Sequence, residues 1–301
     1  MIKFPTKETP IICQGVTGAT GAVHTERAIA YGSRIVGGIS RDKSVTHFSD
    51  LPVFQTVKEA VRKTKPAVSV VFSNPVRAYA DVEEAVKARI PMVICTTTHV
   101  PYHDILKMRE LAQKYKVCVI GPSSPGIVVP EQVLAGNMPA HLFPKGYIGI
   151  ISRSSSLTYE FVQQLGAQGL GVSTCVGIGS GAILCTSFVP IIESMIADSK
   201  TKAILIIGKL NSQFEMELAS YLKKKRTRKP VFIYLAGRPH KKPVNGILGS
   251  DTQTSAEIAV QKKKICCGVG MIVLNRFDTI GEEIKSYFFN MKSKSINHNQ
   301  K

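Results

Sequence analysis

Acidic residues are scarce in this chain: 21 Asp and Glu face 39 Lys and Arg, a formal net charge of +18. Such an excess attracts anions generally, whether nucleic acid, acidic lipid, an acidic partner subunit or a phosphorylated ligand. No RNA- or DNA-binding motif accompanies the charge, so nucleic acid is not the expected partner. No apolar run reaches the roughly 18 residues of a membrane span. Met1 to Pro10 lacks both the apolar block of a secretory signal and the Arg- and Ser-rich pattern of a conventional mitochondrial leader. No CxxC pair occurs, and the adjacent Cys266 and Cys267 are poor joint ligands for a tetrahedral metal. The seven cysteines are an odd count, and Cys13, Cys95, Cys118, Cys175 and Cys266 lie in or beside apolar runs. They read as buried thiols of a reducing compartment rather than a disulfide framework.

With 44% hydrophobic and 20% charged residues over 301 positions, the composition is globular and long enough for two domains. Short β-branched runs alternate with helical patterns. Strands are expected at 11–14, 35–38, 67–72, 92–96 and 117–120, and helices at 23–31, 57–63, 79–88 and 104–115. That alternation predicts an α/β fold whose parallel sheet is covered on both faces, a doubly wound domain over residues 1–121. A proline-punctuated connection, 122–146, leads to a second series of strands at 147–152, 171–178, 203–208, 231–236 and 270–274. The second domain is expected over 147–291, followed by a polar tail, 292–301. Much of the positive charge lies in two runs, Lys223 to Lys229 and Lys262 to Lys264. The first reads as a solvated helix end and loop.

The first strand runs into Gly15-Val16-Thr17-Gly18-Ala19-Thr20-Gly21 and then directly into a helix. Glycines let a ligand approach the backbone, and free N–H groups at a helix start favour phosphate. The spacing GxTGxxG is not the dinucleotide GxGxxG, and the second strand ends without the acidic residue that would contact a ribose. Both facts argue against NAD.

The runs IICQGVTGATGAVHTERAIAYGSRIVGGIS, LPVFQTVKEA, VICTTTHVP, GPSSPGIVVPEQ, IGIISRSSSLTYE and STCVGIG, in this order, resemble the succinyl-CoA synthetase (succinate–CoA ligase) α subunit family. The likeness extends over roughly residues 11–283. It implies an N-terminal Rossmann-like CoA-binding domain followed by a flavodoxin-like C-terminal ligase domain. It also implies CoA as ligand or substrate, no metal on this chain, and a β subunit that carries the nucleotide and magnesium site. Family members interconvert succinyl-CoA, phosphate and nucleoside diphosphate with succinate, CoA and the triphosphate, through a phosphohistidine on the α subunit. By the same resemblance Thr17, Gly18, Ala19 and Thr20 hold CoA phosphates, Lys43 pairs with one of them, and Thr96, Thr97 and Thr98 line the CoA groove. Ser154, Ser155 and Ser156 open a helix suited to phosphate, and Tyr159 matches a residue near the β-subunit contact.

Several positions depart from the family pattern. Thr98-His99 stands where ITEG has Glu-Gly, and Arg41-Asp42-Lys43-Ser44 replaces a glycine-rich tip. Asn245 falls where the Gly-His-Ala-Gly-Ala segment has its histidine, and Val244 replaces the preceding glycine. An imidazole accepts a phosphoryl group; a carboxamide nitrogen, delocalised into its carbonyl, does not. His240, five residues earlier, reads as a surface side chain. Gly208-Lys209-Leu210-Asn211-Ser212 replaces Gly-Glu-Ile-Gly-Gly, whose glutamate orients the histidine, and Ser123-Ser124 replaces the Asn-Cys of GPNCPG. Ser180-Gly181-Ala182 replaces a Gly-Asp-Pro. The expectation is a CoA-binding α-type chain with no intact catalytic residue. The alternatives are an active ligase α subunit and a non-enzymatic binding protein on the same fold. PMVIC and PEQ resemble animal mitochondrial α subunits and the basic pI suits the matrix, so the mitochondrial matrix is the expected location, otherwise the cytoplasm.

Overall fold

The computed structural model describes residues 2–210, 212–237 and 255–298, with backbone alone for 255 and 291–298. Among the described residues no helix is long and apolar enough to cross a membrane. The chain divides into two compact units, Met1–His141 with Thr174–Ser194, and Leu142–Ser173 with Met195–Lys301.

The first unit opens with β1 (Ile11–Gln14), α1 (Ala19–Ala30), β2 (Ile35–Ile39), β3 (His47–Phe48), β4 (Leu51–Phe54), α2 (Val57–Thr64), β5 (Val68–Val71) and α3 (Ala78–Lys87). It continues through β6 (Met92–Cys95), α4 (Tyr102–Tyr115), β7 (Cys118–Ile120), β8 (Gly126–Val129) and β9 (Val133–Gly136). Its main sheet has the order β3-β4-β2-β1-β5-β6-β7. β1 lies parallel to both β2 and β5, and β5, β6 and β7 follow in parallel. The IICQ, VSVV and MVIC segments of β1, β5 and β6 are buried at every position, as strands covered on both faces must be. Val82, Ala85 and Val86 of α3 and Ile105 and Met108 of α4 pack with Val93 and Cys95 into one core cluster. Each such aliphatic side chain, fully buried, contributes about 1.5–3 kcal/mol.

Three differences from the sequence reading have physical causes. α1 begins at Ala19, four residues before the expected start, because Ala19-Thr20-Gly21-Ala22 is too small in side chain to show apolar periodicity. β3 pairs antiparallel with β4 around Ser49, in a left-handed conformation at φ 50, and Pro52 lies in β4. A two-residue strand and a proline hide this hairpin from pattern reading. The stretch read as a connection, 122–146, holds the antiparallel pair β8–β9, turned at Glu131 with φ 61. The hydroxyl of Ser33 donates to Leu134 O at 2.9 Å and accepts from Leu134 N at 2.8 Å, fastening β9 to the turn before β2.

The second unit takes up β10 (Lys145–Ser152), α5 (Ser155–Ala167), and the start of β11 (Val172–Gly177), whose later residues pair antiparallel with β8 in the first unit's share of the chain. After α6 (Phe188–Ala197) come β12 (Ala203–Lys209), α7 (Phe214–Lys224), β13 (Val231–Ala236), α8 (Ser255–Gly268), β14 (Ile272–Leu274) and α9 (Ile280–His298). β10, β12, β13 and β14 are successive parallel neighbours. The last of these helices runs into the region read as a polar tail, as far as His298. Lys229, counted in a solvated run, donates its ammonium to Met195 O at 2.9 Å and Asp198 O at 2.6 Å.

Candidate functional site

In the first unit the carboxyl ends of β1, β2 and β6 share one edge of the sheet, the place where parallel sheets receive ligands. β1 leads through Gly15 into the turn that starts α1. Gly15 has φ +78, and a Cβ there would sit 2.7 Å from Phe72 O. Gly21, inside the first turn of α1, lies so close beneath the loop that its Cβ would meet Gly15 O at 2.0 Å. Gly18 takes the N-cap position, makes no side-chain cap bond, and the first turn has no acidic residue. Thr17, Gly18, Ala19 and Thr20 are all exposed. A helix start with uncapped N–H groups facing outward is an anion site in waiting.

The loop is braced from β2. Thr17 Oγ1 and Ser40 Oγ lie 2.9 Å apart, and Ser40 Oγ accepts from Asp42 N at 3.2 Å. Asp42 closes the tip by accepting from Ser44 N at 2.9 Å and Ser44 Oγ at 2.6 Å. Those two bonds hold its carboxyl below the usual carboxylate range. Lys43 is exposed at this tip. On the other side, Thr96 Oγ1 donates to Val71 O and Thr97 Oγ1 to Ser73 O, each at 2.8 Å. The two hydroxyls lace the exits of β5 and β6 together. Thr98 is exposed, its hydroxyl 3.2 Å from His99 Nδ1.

Asp81 was not singled out from sequence. It receives Arg41 Nη2 at 3.1 Å, Arg77 Nη2 at 3.7 Å and the Ser73 hydroxyl. Arg41 follows β2 and Arg77 precedes α3, so one carboxylate gathers guanidinium groups from both sides of β1. The i,i+4 spacing of Arg77 and Asp81 was the only signal available. His24 in α1 stacks on Phe72, ring centroids 5.7 Å apart, and burial followed by the nearby Arg27 lowers its pKa.

In the second unit, Ser154 caps α5, its hydroxyl accepting from Leu157 N at 3.4 Å, while Ser155 and Ser156 are exposed. Tyr159 packs edge-on to Phe143, with centroids 6.3 Å apart. Arg153, 3% exposed, lies with its guanidinium 4.8 Å above the Phe214 ring and donates to Ser212 Oγ. Glu215 is fully buried, 3.8 Å from Arg153 Nη1, and accepts Lys209 N at 2.8 Å. Gly208 makes room for it: a Cβ there would meet the Glu215 side chain at 2.8 Å. Lys262, read from sequence as one of a basic run, is 4% exposed and reaches Glu215 Oε2 at 3.3 Å. Burial lowers the pKa of Lys209, Arg153 lowers it further, and Glu215 opposes both. Burial likewise lowers that of Arg153 against the pull of Glu215. Asn211, His240, Val244 and Asn245 lie outside the described residues. No cluster of three or more metal-ligating side chains occurs among the described residues.

An open helix start braced at the carboxyl edge of a parallel sheet, with Lys43 exposed at the tip after β2, defines an α/β protein with a site suited to a phosphorylated ligand. A CoA binding domain model matches residues 6–99, and a model of the succinyl-CoA ligase like flavodoxin domain matches residues 145–282. The succinate–CoA ligase [ADP-forming] α subunits of Staphylococcus aureus strain Mu50 and Staphylococcus epidermidis are each 37% identical over 238 residues, 79% of this chain and 78% of theirs. The chain belongs to the succinate–CoA ligase α-subunit family. Among solved structures, ATP citrate lyase from Methanothrix soehngenii, in complex with citrate and coenzyme A, matches with TM-score 0.82 at 21% identity, over 97% of this chain and 51% of that one. The dinucleotide-forming acetyl-coenzyme A synthetase 1 of Ca. Korarchaeum cryptofilum gives TM-score 0.72 at 17% identity, over 91% and 60%. This chain spans little more than half of either, and at these identities the likeness concerns the fold alone.

Proposed function

We propose that this chain is a CoA-binding α-type subunit that does not carry the phosphoryl relay of its family. CoA would lie along the crest formed by Thr17–Thr20, Lys43 and Thr96–Thr98, its phosphates at the uncapped start of α1. A β subunit is the expected partner, by resemblance to α subunits and through the region of Tyr159. The observation that carries the loss of the relay is Lys209. Where the family has a glutamate to orient a histidine, this chain has an ammonium, which donates hydrogen bonds and accepts none. Beside it, the Arg153 guanidinium and the Lys262 ammonium converge on the Glu215 carboxylate, which also accepts the main-chain N–H of Lys209. The field there favours a free anion and disfavours an imidazolium. Asn245, at the phosphohistidine position by resemblance, removes the acceptor itself.

In this reading the exposed Ser155 and Ser156, with Arg153 and Lys209 nearby, hold phosphate without forming a bond to it. The test is incubation of the chain and a competent family β subunit with γ-labelled ATP. The expected outcome is no label on the α chain. Acid-labile, base-stable label there would overturn the reading. The double variant Lys209→Glu, Asn245→His is expected to regain more label than either single variant.

A further inference from the structure

Lys262 sits in the middle of α8, buried, and its ammonium meets four oxygen atoms. These are Lys209 O at 3.0 Å, Leu210 O at 2.7 Å, Ser212 O, and Glu215 Oε2 at 3.3 Å. The three carbonyls come from the end of β12 and the turn that leads into α7, so the backbone curls around one positive charge. A buried ammonium is retained only where its hydrogens find acceptors, and carbonyls drawn together repel one another unless a donor or a cation lies between them. Three carbonyls and one carboxylate at hydrogen-bond distance from one nitrogen form an oxygen shell that suits an ammonium-sized monovalent cation.

We propose that the β12–α7 turn is a monovalent-cation site which this chain fills with its own Lys262. Lys262 is thereby a positioning residue. It shapes the turn whose Ser212 hydroxyl receives Arg153 and from whose start Lys209 projects. Its effect on anion binding rests on the phosphate reading above; its role as an internal cation does not. The cluster facing it is known: Glu215 from α7, Lys209 from β12 and Arg153 from the β10–α5 junction.

Lys262→Ala leaves Cβ and removes three methylenes and the ammonium, which together are n-propylammonium. In the full chain this variant is expected to lower the thermal midpoint and to weaken inorganic phosphate binding at least tenfold by calorimetry. n-Propylammonium chloride should restore both, ammonium or potassium chloride in part, and tetramethylammonium chloride at equal ionic strength neither. Lys262→Met, whose side chain fills the channel, should respond to no amine. If Lys262→Ala and Lys262→Met melt alike and no amine moves either, Lys262 merely fills space and the proposal is wrong. If the wild-type chain binds no phosphate, the anion reading fails while amine rescue of the midpoint still decides the cation site. Should Lys262→Ala not fold, wild-type chain labelled with ¹⁵N-lysine gives the answer. A slowly exchanging ammonium signal, assigned as Lys262 by its loss in Lys262→Met or by its coupling to the three carbonyls, is expected near neutral pH. Exchange as fast as that of surface lysines would overturn the proposal.

Discussion

Replacing Gly21 by alanine would place a methyl carbon 2.0 Å from Gly15 O and 2.8 Å from Gly15 C. Both obstacles are backbone atoms of the glycine loop, so no side-chain rotation relieves them. Ordinary overpacking costs about 1–3 kcal/mol, and an immovable neighbour argues for the upper end, about 3 kcal/mol. Alanine regains about 1 kcal/mol of helix propensity in α1, leaving a net loss of about 2 kcal/mol. For a unit of this size that is a fall of about 4–8 °C in Tm. Gly18→Ala is the contrasting variant. Its Cβ would lie 3.4 Å from Gly15 O, an ordinary contact, and Gly18 has φ −76. Glycine is preferred to alanine at an N-cap, so this variant is expected to lose about 1 kcal/mol and to fall by about 2–4 °C in Tm, half the change for Gly21→Ala. Yet it should weaken CoA, because its methyl group projects at the exposed helix start. Thermal melts and calorimetric titration with CoA separate the two effects: Gly21→Ala should lose the more stability, Gly18→Ala chiefly CoA. A Gly21→Ala chain that melts like wild type would refute the close approach of helix and loop, and with it the account of why the loop faces outward.

Two further outcomes follow from charge and burial. Burial pushes the thiols of Cys13, Cys95, Cys118 and Cys266 up to about 11, and those of Cys175 and Cys185 higher still, while Cys267 is exposed. Titration with a chromogenic disulfide at pH 8 should therefore show one fast thiol in the native chain, abolished by Cys267→Ser, and seven after denaturation; a second fast thiol would contradict the burial. Because burial and Arg153 lower the Lys209 pKa, its positive charge is lost earlier than that of a free lysine as pH rises. Sulfate, which does not titrate in this range, should bind more weakly as pH rises from neutrality, starting below the usual lysine value of about 10.4, and Lys209→Met should flatten the profile; a flat wild-type profile would remove Lys209 from the site.

Much of the first unit was legible because its strands are short, uniformly apolar and spaced by amphipathic helices. β1 was read to the residue, and β2, β5, β6 and β7 within one or two. The β3–β4 hairpin escaped because a two-residue strand has no period and Pro52 lies in its partner, and β8–β9 because the surrounding prolines made the segment read as a connection. The crest residues were legible through the glycine loop and the resemblance, but their division of labour was not. That Thr96 and Thr97 use their hydroxyl hydrogens on Val71 O and Ser73 O depends on strand adjacency across the sheet. Asp81 and Lys262 were missed for one reason. Charged residues in helices read as solvated, and only tertiary contact reveals which of them turn inward.

Lys229 and Lys262 both point their ammonium groups at main-chain carbonyls. They therefore act as braces of the polypeptide, and neither belongs to the cloud of interchangeable surface cations that descendants of this gene can trade for arginine or glutamine. Reductive methylation would be expected to spare both while the native shape lasts, so two lysines late to react would mark where the chain has sewn its own backbone together.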